Sequence, residues 1–132
     1  MFPNNNNNTY PSSQSLHSED NEAYVEDLLW EFSSSLAEVV VRTLSGLGFL
    51  PSSACSRGDT HDIYQARAEA SIATFITQNQ EIEVELLSTS YSLHNVSSSV
   101  LADLASVGVW ACSPTRSAEQ IQWLATRCLH NV

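Results

Sequence analysis

The side chains that could do chemistry are few and scattered. Cys55, Cys112 and Cys128 are the candidate nucleophiles, and His17, His61, His94 and His130 the candidate bases or metal ligands. A thiol needs a base within hydrogen-bond reach to act as a nucleophile. Cys128 and His130 come nearest in sequence, but residues i and i+2 diverge on a helix. A cysteine on an apolar stripe reads as core. The histidines show no metal-ligand spacing, and three widely spaced cysteines make no closed disulfide framework. Glu83 and Glu85 would share one side of a strand, yet a solvated acidic face accounts for them. No Gly-rich phosphate loop is present. Arg57-Gly58-Asp59 is the tripeptide that integrins recognise, and Asn95-Val96-Ser97 matches a glycosylation sequon. Both need display outside the cell, for which the sequence offers no support. The chain is therefore expected not to be an enzyme and to hold neither a metal nor a cofactor.

Charge narrows the partners. The 132 residues include 15 acidic side chains against 5 basic ones, a net charge of -10. Every basic residue is Arg. Nucleic-acid binding requires a cationic footprint, and an anionic membrane surface would repel this chain. The segment from Ser97 to Trp110 has the shape of a recognition helix followed by a wing, but it lacks the basic residues that DNA would need. A partner with basic residues would be steered toward such a field. No apolar run reaches the roughly 18 residues of a membrane span. The Asn- and Ser-rich start has neither the charge nor the apolar run of a signal peptide. An intracellular protein with free thiols is expected.

The elements around these residues read as helices. Residues 1–20, with Asn4 to Asn8 in a run, have too little apolar surface to offset ordering and are expected as a disordered head. From Asp20 or Asn21, Val25, Leu28, Leu29, Phe32, Leu36, Val39, Val40 and Leu44 repeat at the spacing of one helical face. Glu22, Glu26, Asp27 and Glu31 sit where the helix dipole favours anions, and Gly46, Gly48 and Pro51 end the run. Residues 51–60 read as a loop, with Thr60 or Asp62 as the cap of an Ala-rich helix from Ile63 to about Asn79. A further helix spans Gln80 to Tyr91, although the alternation from Ile82 to Leu86 also fits an edge strand. Asn95 to Ser99 form a turn and cap. Val96, Val100, Leu101, Leu104 and Val107 mark the next buried stripe, and Gly108 is expected to end that helix. Residues 117–130 make the last helix, with Ile121, Leu124, Ala125, Cys128 and Leu129 on its apolar face. Trp30, Trp110 and Trp123 are expected in the core or half-buried, with Trp110 the candidate for a contact surface.

Two segments at opposite ends carry a family resemblance. Asn21-Glu-Ala-Tyr-Val-Glu-Asp-Leu-Leu-Trp-Glu-Phe32 resembles the opening helix of the Bcl-two family of apoptosis regulators. Ile121-Gln-Trp-Leu-Ala-Thr-Arg-Cys-Leu129 is similar to the family's sixth helix. Between them Glu81 to Leu87 resembles the helix before the central hairpin, and Asn95 through Gly108 the buried central helix. Order and spacing agree over roughly residues 21–130. The chain departs from the pattern where the first homology motif has Asn-Trp-Gly-Arg, because Asn95-Val96-Ser97-Ser98 stands there. The tract between Phe75 and Ile82 is also short, which would reduce or remove the third helix. Neither the second homology motif nor a tail anchor precedes Val132. A reduced member of this kind looks like those of large DNA viruses such as iridoviruses.

The resemblance implies an all-α bundle of about six helices around a buried central helix over residues 21–132. It implies an inhibitor of apoptosis that holds pro-apoptotic BH-three helices, Bim among them, in an apolar groove. By alignment that groove is walled by Phe75, Ile76, Ile82, Glu85, Leu86, Val100 and Leu101. An amphipathic helix would insert anchors at i, i+3 or i+4, and i+7. Without the motif's Arg, one charge-assisted contact worth roughly 1.5–3 kcal/mol is lost, so a narrow ligand range is expected. The protein would act in the host cytoplasm and meet mitochondria through its partners. An exposed Trp110 beside a shallow groove would suit a homodimer. A helical adaptor or decoy for host signalling proteins is the alternative.

Overall fold

In a computed structural model, the backbone is described over residues 12–50 and 59–132, and side chains over 24–50 and 62–132. Five helices are present among these residues, in the order α1 (Ser12–Gly46), α2 (Asp59–Thr77), α3 (Gln80–Ser88), α4 (Ser98–Cys112) and α5 (Ala118–Leu129). The protein is all-helical over this range and packs compactly. The edge-strand alternative for Ile82 to Leu86 gives way to α3. Helix α1 begins at Ser12 and so takes in part of the expected head, while residues 1–11 lie outside the described residues. Of the loop expected over 51–60, residues 51–58, with Cys55 and Arg57, also lie outside them, and residues 59 and 60 open α2. Helix α2 starts at Asp59, which places Thr60 and Asp62 in its first turn rather than at its cap.

Local sequence explains most of the boundaries. Asn79, Ser97 and Ser117 cap α3, α4 and α5, each accepting a hydrogen bond from an N–H three residues on. These are the short polar side chains that satisfy the orphan donors of a first turn. Glu81 and Glu83 in the first turn of α3, and Glu119 in that of α5, complement the helix dipole. Helix α1 ends in a Schellman motif. The Phe49 N–H donates to the Leu44 carbonyl at 2.8 Å, the Gly48 N–H donates to Ser45, and Gly48 has φ +84°. The same motif closes α3 with no glycine. Tyr91 N–H reaches Leu86 O at 2.8 Å, Ser90 N–H reaches Leu87 O, and Ser90 and Tyr91 take φ of 55° and 57°. Left-handed backbone costs a side-chain-bearing residue roughly 1–2 kcal/mol. What offsets it is visible at Tyr91, which is buried with its ring edge-on to Phe32 at 5.9 Å.

Packing joins α1 to α2, α4 and α5, and α2 to α3 and α4; α4 also packs on α5. Val39, Val40 and Val41 are buried in succession, which needs neighbours on more than one side of α1. Helix α4 is different. Leu101, Leu104, Ala105, Gly108, Val109 and Cys112 form one buried stripe, while Asp103 and Trp110 on its other side are exposed. It is thus covered on one side and open on the other, short of the enclosure expected of a central helix. Nor does Gly108 end it. The helix runs four residues further, because Gly108 lies at a close crossing with α1 and α2. A Cβ there would stand 3.2 Å from Ile72 Cδ1 and 3.2 Å from Val40 Cγ2. Absence of a side chain, not freedom of φ, is what this glycine supplies.

Polar contacts tie the bundle across long stretches of sequence. Gln65 Nε2 donates to the Ser34 carbonyl at 3.0 Å. Asn131 Nδ2 donates to Thr43 Oγ1 at 2.8 Å, fixing the C-terminal residues on α1. Among the described residues no helix is long and apolar enough to cross a membrane.

Candidate functional site

An open apolar groove runs between the C-terminal half of α2, the exposed side of α4 and the start of α5, with a volume of about 850 Å³. Phe75 comes from α2, Val107 and Trp110 from α4, and Ile121 and Ala125 from α5. The helical period places them. On α4, Asp103, Val107 and Trp110 follow i, i+4, i+7 and share the face opposite the buried stripe. On α5, Ile121 and Ala125 sit one turn apart at the edge of the core that Leu124 and Cys128 fill. Small residues at Ala70, Ala102 and Ala118 leave the depression that larger side chains would fill. Among the described residues, Asp103 is the one formal charge in the lining; the remaining polar groups are hydroxyls and amides such as Ser106, Thr74 and Gln122. Ser106 Oγ donates to the Ala102 carbonyl of its own helix at 2.8 Å, so its hydrogen is already used.

This groove differs in its lining from the one the resemblance implies. Of the residues expected to wall it, Phe75 alone lines it. Ile76 and Leu86 are fully buried, and Ile82 and Leu101 nearly so, all within the core. Val100 packs half-buried against that core. Glu85 has another role: its Oε2 accepts from the Ser97 N–H at 3.1 Å, bracing the start of α4. Helix α3 follows α2 after only Gln78 and Asn79 and buries Ile82 and Leu86 in the core, while Val84 and Leu87 stay exposed.

The tryptophans stay out of the core and are half-buried, the second of the two placements expected for them. Trp30, Trp110 and Trp123 are 42%, 55% and 51% exposed. Indoles are costly to leave in water, and a large apolar side chain held at a groove rim is what contact surfaces use. Trp110 is the one that lines the groove. Trp123 faces away with the Arg127 guanidinium over its ring at 5.7 Å.

The thiols and carboxylates are arranged for structure. Cys112 and Cys128 are buried and free. Burial pushes each thiol up to about 11, so both stay protonated at neutral pH. His130 is exposed beyond the end of α5, while Cys128 points into the core. Among the described residues, no three His, Cys, Asp or Glu side chains gather as metal ligands would. Glu83 and Glu85 lie on a helix, where positions i and i+2 diverge.

Compared with known proteins, the chain matches no family model, no curated protein and no solved structure.

Proposed function

We propose that this chain is a protein-binding domain that takes an amphipathic helix of a partner into the groove between α2, α4 and α5. The observation that carries this reading is the groove itself, apolar, open and rimmed by a half-exposed tryptophan. A Trp side chain presents up to about 250 Å², and Trp110 keeps 55% of its surface in water. Covering that exposed part is worth up to roughly 3 kcal/mol at about 25 cal/mol/Å². That is the scale of an interface hot spot, and Trp is among the residues that supply them.

The finer form of the proposal rests on the resemblance. The segments that resemble the Bcl-two family fall in α1, α3, α4 and α5, in the same order along the chain. On this reading the protein, viral in kind, sequesters pro-apoptotic BH-three helices such as that of Bim and so inhibits cell death. A second reading, an adaptor or decoy for other signalling proteins, is favoured by one observation: the groove shares only Phe75 with the aligned positions.

Titration of the purified chain against a panel of BH-three peptides, Bim included, separates the two. The apoptotic reading expects micromolar or tighter binding to at least one peptide. The same peptide should bind the Trp110→Ala chain at least tenfold more weakly, with helical content unchanged because Trp110 is outside the core. Silence across the panel removes the apoptotic reading and leaves the helix-binding one to be tested on other helices.

A further inference from the structure

We infer that Asp103 sets the polarity of the groove, so that its occupant is a partner helix carrying a Lys or Arg opposite this carboxylate. The inference rests on the helix-binding reading above and specifies the partner's chemistry. Asp103 is exposed in the free chain and has no ion pair among the described residues. It shares its helix face with Val107 and Trp110 and is the one charge among the described groove-lining residues. A helix laid over Trp110 and Val107 strips water from that carboxylate. A desolvated charge must be paired or hydrogen-bonded, or binding is lost.

Among the described residues, no donor of the lining is hydrogen-bonded to this carboxylate. Ser106, the neighbouring hydroxyl on α4, is spent on the Ala102 carbonyl. A cation on the occupant compensates the carboxylate most fully, through a charge-assisted hydrogen bond that a neutral hydroxyl or amide does not match. The net charge of -10 selects its sign, since a cation is drawn toward the groove and an anion is repelled. It also counts against a second copy of this chain as the occupant, because each copy brings the same excess of carboxylates.

Geometry gives the spacing. Val107 and Trp110 lie about 6 and 10 Å along α4 from Asp103, at 1.5 Å per residue. A partner helix aligned with α4 therefore places its basic residue about one turn from one apolar anchor and two turns from the next. This polarity is opposite to that of a groove whose own Arg receives an acidic ligand residue. The partner it selects is a basic amphipathic helix.

The test uses two synthetic helices of about 20 residues. Both have one leucine stripe, and they differ only in an Arg or a Glu two turns from the central Leu. Each is titrated by calorimetry into the full chain, Asp103→Asn and Asp103→Arg. Far-ultraviolet circular dichroism checks the folds, which an exposed position leaves intact. The wild-type chain should prefer the Arg helix by about tenfold or more. Asp103→Asn should erase that preference and Asp103→Arg should reverse it, a swap that general loosening of α4 would not produce. Binding of both helices with equal affinity, or the same preference in Asp103→Arg, overturns the role of Asp103 and leaves the groove reading standing. Failure of both helices to bind overturns the two together. Sedimentation showing a dimer that Trp110→Ala dissolves would make a second copy the occupant and also refute the inference.

Discussion

Replacing Gly108 with alanine adds one methyl group where α4 crosses α1 and α2. In an exposed helix this change stabilises by about 1 kcal/mol, because glycine carries more backbone entropy. Here the new Cβ would meet Ile72 Cδ1 and Val40 Cγ2, each at 3.2 Å, well inside the ~3.5–4.0 Å at which carbon pairs attract. Both neighbours are fully buried. Ile72 offers the end of its side chain and can shift a little. Val40 cannot, since a β-branched residue in a helix has one favoured rotamer. Forcing a methyl into such a place costs about 1–3 kcal/mol. The propensity gain is therefore cancelled or outweighed, and the expected result is a net loss of up to about 2 kcal/mol. Val40→Ala removes both valine methyls. In that background Gly108→Ala should recover its gain, giving a coupling of about 2 kcal/mol between the two positions. Urea unfolding of the four proteins, followed by circular dichroism with matching slopes, measures this. If Gly108→Ala stabilises equally in both backgrounds, α4 does not cross α1 as described, and the reasoning fails.

Other outcomes follow from the same physics. Ser90→Gly should raise stability by about 0.5–1 kcal/mol, because Ser90 holds φ 55° at the end of α3 where glycine is unstrained; a lower urea midpoint would contradict the motif. Burial pushes the thiols of Cys112 and Cys128 up from 9.0 to about 11. The unfolded chain thus loses these protons first, so stability is full below pH 9 and falls as pH rises toward 11; an unchanged urea midpoint across that window would refute it. Native Cys112 and Cys128 should also resist alkylation until the chain is unfolded, as peptide mapping of the modified protein would show. Glu85→Ala should cost about 1 kcal/mol by removing the acceptor of the Ser97 N–H, yet leave helix binding in the groove unchanged; weakened peptide binding would place Glu85 in the site.

What sequence alone determined was local. The i, i+3, i+4 spacing from Leu29 to Leu44 marks the buried side of α1, and Ser97 caps α4 as its position before the apolar stripe implies. Caps and periodicity depend on neighbours within one or two turns, so they can be read from the chain. Tertiary structure decided the rest. Gly108 looks like a helix stop in sequence, but two side chains from other helices press on it. Ile76, Ile82, Leu86 and Leu101 have the right types for a groove, yet α2, α3 and α4 pack them together in the core. This groove lies along the face of α4 on which the helical period sets Asp103 and Trp110, a face left open by the other described helices. An amphipathic pattern says which residues avoid water, but only the packing of whole helices says which apolar surface is left over.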